Sequence, residues 1–522
     1  MTWRTSGVES GQQTALDWFD RAVIGYVVLP LPLFLLGWLK LWAAVPLTLC
    51  VLYALRPLVG PRAPLSSDSH IAPISTTQLV VASLVGVVWT ALGGAMHFVF
   101  ANADWYIRDA VLHDLVVSPW PVGYGVFDGA ESMLRAPLGY YMPAALLGKL
   151  LGLYSAHIAM ALWTAMGATL FLLQVLSLTP SRKVGTALAV VALIVFFSGF
   201  DIIGSSLADP ERFLKDWKIT QHLEWWAVVY QYSSMTTQLF WVPNHALPGW
   251  LTIGLLIRNS RPSLSAMLPM TVVAAVLWSP LTALGLMPFV VLKMLRGASW
   301  RSLLPLLRPQ VWAPAVLVGL VVASYITMDS ARLPMKTTLG DQPILDLVRQ
   351  LQFFLLEAGF IGIAVLALGW SWDIVTALAV LLLLPILSFG PANDLVMRAS
   401  IPSLTMLAIG VCVALTRQNG QAGDSGKKVL LGCMLGVGAL TPIQEIARAT
   451  SLPAWPINTE ATLIGAACGS YPPHYIAHLD PKLMSWALRP PHRTPLGPQD
   501  LETCRNPAKQ LMAVRKLDWG MQ

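Results

Sequence analysis

The chain has 522 residues, 55% of them hydrophobic and 12% charged, about half the charged share of ordinary soluble domains (roughly 25%). Apolar runs of about 20 residues recur along most of it with few polar positions at helical spacing; this excludes a soluble protein with one large core and predicts an all-α polytopic membrane protein. The net charge of +7 is read by position, because Lys and Arg in short loops mark the cytoplasmic side; it does not call for nucleic acid.

In chain order, residues 1–20 are polar and show no cleavable-signal pattern, so the run 23–39 is read as a membrane helix, closely linked to 42–55. Arg56 and Arg62 follow in a Pro-rich loop assigned to the cytoplasm, and 79–101 crosses outward. Residues 102–154 then form a first outer loop. Its apolar part, 138–151, opens after Pro137 and is too short to cross, so it reads as an interfacial helix. The run 155–178 returns to basic Arg182-Lys183, 186–200 leaves again, and 201–237 is a second outer loop. The runs 238–257, 266–282, 284–295, 311–327, 347–370, 374–387, 401–415 and 429–440 alternate between basic inner turns and outer loops. The expectation is about thirteen spans. Residues 1–446 are expected to form one catalytic bundle with juxtamembrane helices on its outer face, and 447–522 a Pro-rich tail on the same side. Cys468 and Cys504 lie in that tail; they pair if it faces an oxidising compartment and stay free thiols if it does not.

The first outer loop concentrates acids: Asp104, Asp109, Asp114, Asp128 and Glu131 share it with Arg108 and Arg135. Asp104 and Arg108 stand one helical turn apart and share a face, whereas His113 and Asp114 fit a solvated helix face. The second loop and the helix after it, residues 222–250, are dense in Trp and Tyr. Trp at a membrane boundary often only anchors a helix, but Glu224, Trp225, Trp241, Asn244 and His245 together read as a carbohydrate platform, with aromatic faces for sugar C–H surfaces and polar groups for hydroxyls. No HExxH, Cys/His cluster, Walker loop or usable GxSxG is present. No cofactor is expected; the surplus of carboxylates leaves a divalent cation open, without dedicated ligand spacing.

The segments ADWYIRDAVLHDL, WPVGY and LRAPLGYYMPAALLGKLLG, ahead of a long apolar helix, resemble the start of the GT-C superfamily of membrane glycosyltransferases, such as aminoarabinose transferases and protein O-mannosyltransferases. The likeness covers about residues 80–180. It departs from the family where Asp104-Trp105 replaces the usual acid pair, at Arg135-Ala136-Pro137, and in the extra hairpin before residue 78. The resemblance implies a GT-C-like bundle in a bacterial inner membrane with its active site facing outward. There a sugar would pass, with inversion, from a polyprenyl-phosphate or -diphosphate donor to an envelope glycan, lipid or protein. Asp104 matches the family's acid and is the candidate base, with Asp109 as a second acid. Arg108, Arg135 and the late Arg398 are candidates for the donor phosphate, and Tyr140 for substrate. An O-antigen ligase or polymerase would instead place its working Arg and His late in the chain, with no essential early acid. A lipid or glycan transporter would bury charges mid-helix and show inverted repeats.

Overall fold

The computed structural model describes residues 17–59, 74–127, 130–179, 182–216, 218, 221–259, 267–296, 309–333, 335–390, 393–417, 424–466, 474–479 and 486–494. Asp128, Cys468 and Cys504 lie outside them. Six helices among the described residues are long and apolar enough to cross a membrane: Trp18–Trp38, Leu153–Ser177, Pro309–Thr327, Pro343–Leu368, Asp394–Thr416 and Asp424–Ser451. Seven further apolar helices run 10–17 residues, most of them short of the ~20 a perpendicular crossing needs, so helix length and composition establish six candidate spans and leave the expected count of about thirteen unshown. Large apolar side chains stay exposed along these helices, among them Leu84, Leu162, Leu320, Leu383 and Val429, a surface that water would penalise and lipid would not.

The expected run 79–101 is helical only as Thr76–Leu92. Ser75 and Gln78 start it with a reciprocal capping box. Gly93-Gly94 ends it: Gly94 takes φ +90°, where a Cβ would also lie 2.8 Å from Ala101. The chain doubles back through residues 95–103 into the helix Asp104–Val117. The predicted interfacial helix is present as Met142–Leu151.

The all-α expectation misses two small sheets. Strands β1 (Val122–Phe127) and β2 (Ala130–Leu134) form a hairpin in the first loop; β3 (Met335–Thr337) and β4 (Leu387–Phe389) pair separately. From the tail, β5 (Ile476–His478) adds antiparallel to β2 and β6 (His492–Arg493) parallel to β1, giving the order β5-β2-β1-β6. Gly125 bulges β1 at φ +78°, against Arg493. Apolar alternation over such short strands is too brief to stand out in a chain this hydrophobic. The described tail residues therefore pack onto the first loop, and both lie at one end of the bundle.

Several tryptophans are buried with their N–H satisfied inside the bundle: Trp89 donates to Thr236 (3.0 Å), Trp250 to Gln238 (2.8 Å) and Trp278 to the Val27 carbonyl (2.9 Å). At the end remote from the first loop, Arg258, expected in a basic cytoplasmic turn, is instead buried and paired with Asp20 at 2.9 Å.

Candidate active site

The two outer loops meet at the end of the short helix Met235–Trp241. Its last carbonyls have no partner within the helix and carry the negative end of its dipole. They accept from the first loop: Phe240 from Asn102 Nδ2 (2.8 Å) and Trp105 Nε1 (3.1 Å), Trp241 from Arg108 Nη2 (2.5 Å). Arg108 also lies over the Trp105 ring, 4.6 Å from its centroid. These contacts hold the guanidinium by one arm. Its Nε and Nη1 are buried with no hydrogen-bond partner, at a cost of about 1–3 kcal/mol per orphaned donor.

Asp104 opens the helix, its N–H bonded to Asn102 Oδ1 (3.1 Å). It is exposed, yet protein surrounds it closely enough that burial pushes its carboxyl above the ordinary range, against the pull of Arg108 and Arg398; Asp394 adds to the upward push. Arg398, nearly 300 residues later, thus lies within electrostatic reach of Asp104, as Arg108 does. It pairs with Asp394 at 2.9 Å and leaves a buried Nε without a partner. Arg135 lies to one side, its Nη1 on the Ile326 carbonyl (3.0 Å).

Asp109, the expected second acid, is not exposed as Asp104 is. It is fully buried between His97 Nε2 (3.3 Å) and His157 Nδ1 (3.8 Å), and it accepts from the Asn458 backbone N–H (3.0 Å). Burial raises it to about 7 and depresses His97 to about 4. Asp114 is not on a solvated face either. It is fully buried, accepting from Tyr124 of β1 (2.8 Å) and the Leu463 N–H of the tail (2.9 Å), with His113 at 3.1 Å; burial pushes its carboxyl up against those bonds. Both acids are tethers for the tail.

The carbohydrate platform is not open. Glu224 is buried and accepts from the Ser234 N–H (2.9 Å) and Gln231 (2.8 Å); burial raises it to about 7. Trp225 and Trp241 are half-buried and flank the ring of His222, at 4.5 and 5.0 Å between centroids. The Trp241 N–H goes to Glu445 (2.8 Å), which also accepts from His222 (2.7 Å) and Arg448 (2.9 Å). Asn244 and His245 are buried at the start of the helix Pro243–Arg258. A chain runs from His245 Nδ1 to Ser279 (2.7 Å), to Thr282 (2.7 Å), to the Arg398 carbonyl (3.2 Å), so these residues hold the Arg398 segment. Tyr140 is a core residue, its hydroxyl 2.7 Å from Thr164 and pushed up to about 12 by burial. Glu357, inside the apolar run 347–370, is buried and accepts from Trp226 (2.8 Å).

Asp394, Tyr475 and the His222–Glu445–Arg448 group were not singled out from sequence. The Pro-Pro-His-Tyr run at 472–475 was the available signal for Tyr475: aromatic and polar residues beyond the last apolar run. A cavity of about 310 Å³ between Leu268–Trp278, Pro280–Leu295 and Pro309–Thr327 is lined by apolar residues such as Val273, Met287 and Leu320, and offers a polar headgroup nothing. Among the described residues no group of three or more His, Cys, Asp or Glu is placed to hold a metal ion. Compared with known proteins, the chain matches no family model, no curated protein and no solved structure.

Proposed function

We propose that this protein is a membrane glycosyltransferase of the GT-C kind, taking a sugar from a polyprenyl-phosphate or -diphosphate donor. The observation that carries the reading is an exposed carboxylate, Asp104, within electrostatic reach of two arginines, one near it in the chain and one far from it, each with buried N–H groups lacking a hydrogen-bond partner. Buried donors are nearly always satisfied in native proteins, and unpaired guanidinium N–H groups suit an anion with several oxygens.

In this reading Arg108 and Arg398 bind the donor phosphate. The acceptor's hydroxyl oxygen attacks the anomeric carbon while its proton passes to Asp104. The bond from that carbon to the phosphate oxygen breaks, the electron pair leaves with the phosphate, and configuration inverts. The arginines offset the charge that grows there, and a carboxylate raised above its ordinary range is a stronger base than a solvated one. The acceptor is an envelope glycan, lipid or protein, and the site faces outward from a bacterial inner membrane. Arg108→Ala and Arg398→Ala should each lower transfer from a labelled polyprenyl-phosphate sugar by about 10- to 100-fold, the loss of one charged hydrogen-bonding group. Unchanged donor kinetics in both variants would contradict the reading. A ligase- or polymerase-type enzyme would also use late basic residues but would tolerate loss of the early acid.

A further inference from the structure

The tail brings one more group to the neighbourhood of Arg398 and Arg135. Strand β5 pairs with β2 in the register Ile476↔Leu134, Ala477↔Met133 and His478↔Ser132. The ladder extends past both strands: Arg135 N–H donates to the Tyr475 carbonyl (2.7 Å) and Leu479 N–H to the Glu131 carbonyl (2.8 Å). This pairing fixes His474 and Tyr475 immediately beyond the strand, beside Arg135. Tyr475 lies within electrostatic reach of Asp104, Arg398, Arg108 and Asp394, and His474 within reach of Asp394, Arg398 and Arg135. The two rings pack at 4.7 Å between centroids, which limits the orientation of the imidazole. His474 Nδ1 is buried and has no hydrogen-bond partner.

From this geometry we infer that His474 is a ligand of the donor phosphate, supplied by strand addition from the far end of the chain. The inference rests on the reading of Arg108 and Arg398 as a phosphate site and extends it to a third contact. An imidazole placed among arginines gains nothing from a positive charge, and its buried nitrogen needs a partner from outside the protein. A neutral ring with the proton on Nδ1 donates one hydrogen bond to a phosphate oxygen. It adds direction to the charge that Arg108 and Arg398 supply. Burial holds the ring's pKa at about 4, so this donor persists unchanged from weakly acid to alkaline pH.

The test is binding of polyprenyl phosphate, and of the matching polyprenol without phosphate, to the full chain in lipid nanodiscs. His474→Ala should weaken polyprenyl-phosphate binding about tenfold, while leaving polyprenol binding unchanged. His474→Asn, whose amide N–H stands close to the position of Nδ1, should restore binding to within about twofold and guards against a folding defect as the cause. If Arg108→Ala and Arg398→Ala weaken binding but His474→Ala binds as wild type does, the contact is overturned and the phosphate site stands. If His474→Asn binds as poorly as His474→Ala, the hydrogen bond is overturned too. If the wild-type protein does not prefer the phosphate to the alcohol, the phosphate site itself fails, and this inference with it.

Discussion

At the scale of residues, the acids of the first loop divide by access. Asp104 is reachable, whereas Asp109 and Asp114 are fully buried, and helical spacing alone does not separate these roles. The four-residue interval put Asp104 and Arg108 on one face; the burial of Asp109 and Asp114 was not legible, because His97, His157 and Tyr124 make it together with tail residues Asn458 and Leu463, over 340 residues away. Asp109 yields a pH prediction. Its folded pKa of about 7 lies above the ordinary ~3.9, so between those values the folded chain binds more protons than the unfolded one. Its contribution to stability is then fully present below about pH 4 and lost as pH rises through about 7. His97, held near 4, slopes the other way up to its ordinary ~6.5, so the wild-type curve alone hides the effect. Asp109→Asn, which can still accept from Asn458, should match wild type near pH 4 and gain about 1–3 kcal/mol by pH 8 in denaturation measurements. Equal stability at both ends would remove the assigned environment. For Asp104, raised from its ordinary range, the activity should fall as pH drops through that raised value, since only the ionised form is a base. The acid limb of the pH–rate profile should vanish with no other carboxylate variant.

At the scale of elements, runs such as 155–178 and 374–387 were legible to within a few residues, whereas the run expected over 429–440 extends as helix over Asp424–Ser451, past the expected start of the tail at 447. The run expected to end at 101 departs too: Gly94 at φ +90° turns the chain while hydrophobicity continues. The aromatic second loop misled for a different reason. Its tryptophans present an apolar body and one N–H donor, and here the N–H groups of Trp226 and Trp241 are bonded to the buried acids Glu357 and Glu445. The small sheet was invisible because its outer strands come from residues 476–478 and 492–493, too short to signal alone. Its role is testable. Ala477→Pro removes a backbone N–H and forces a proline into β5, and should reduce polyprenyl-phosphate binding as much as His474→Ala does. Wild-type binding in that variant would show that the strand does not position the site.

At the scale of the molecule, composition foretold a helical protein with an extensive apolar surface. What it did not foretell is that the groups within electrostatic reach of one another come from three regions: the first loop (Asp104, Arg108), the segment Asp394–Ala399 (Asp394, Arg398) and the tail (Tyr475). The packing also predicts topology. In a cysteine-free background, single cysteines at the exposed positions Val126, Val228 and Trp486 should label with an impermeant maleimide from one side of the membrane, and Val59 only from the other; labelling of all four from the same side would contradict the arrangement. The central claim is that Asp104 is the base of a sugar transfer and Asp109 is a structural tether. The direct measurement is transfer from a labelled polyprenyl-phosphate sugar in membranes carrying equal amounts of wild-type, Asp104→Asn and Asp109→Asn protein. The account predicts transfer by wild type and by Asp109→Asn, with a loss of at least about 100-fold in Asp104→Asn. Full transfer by Asp104→Asn would contradict it.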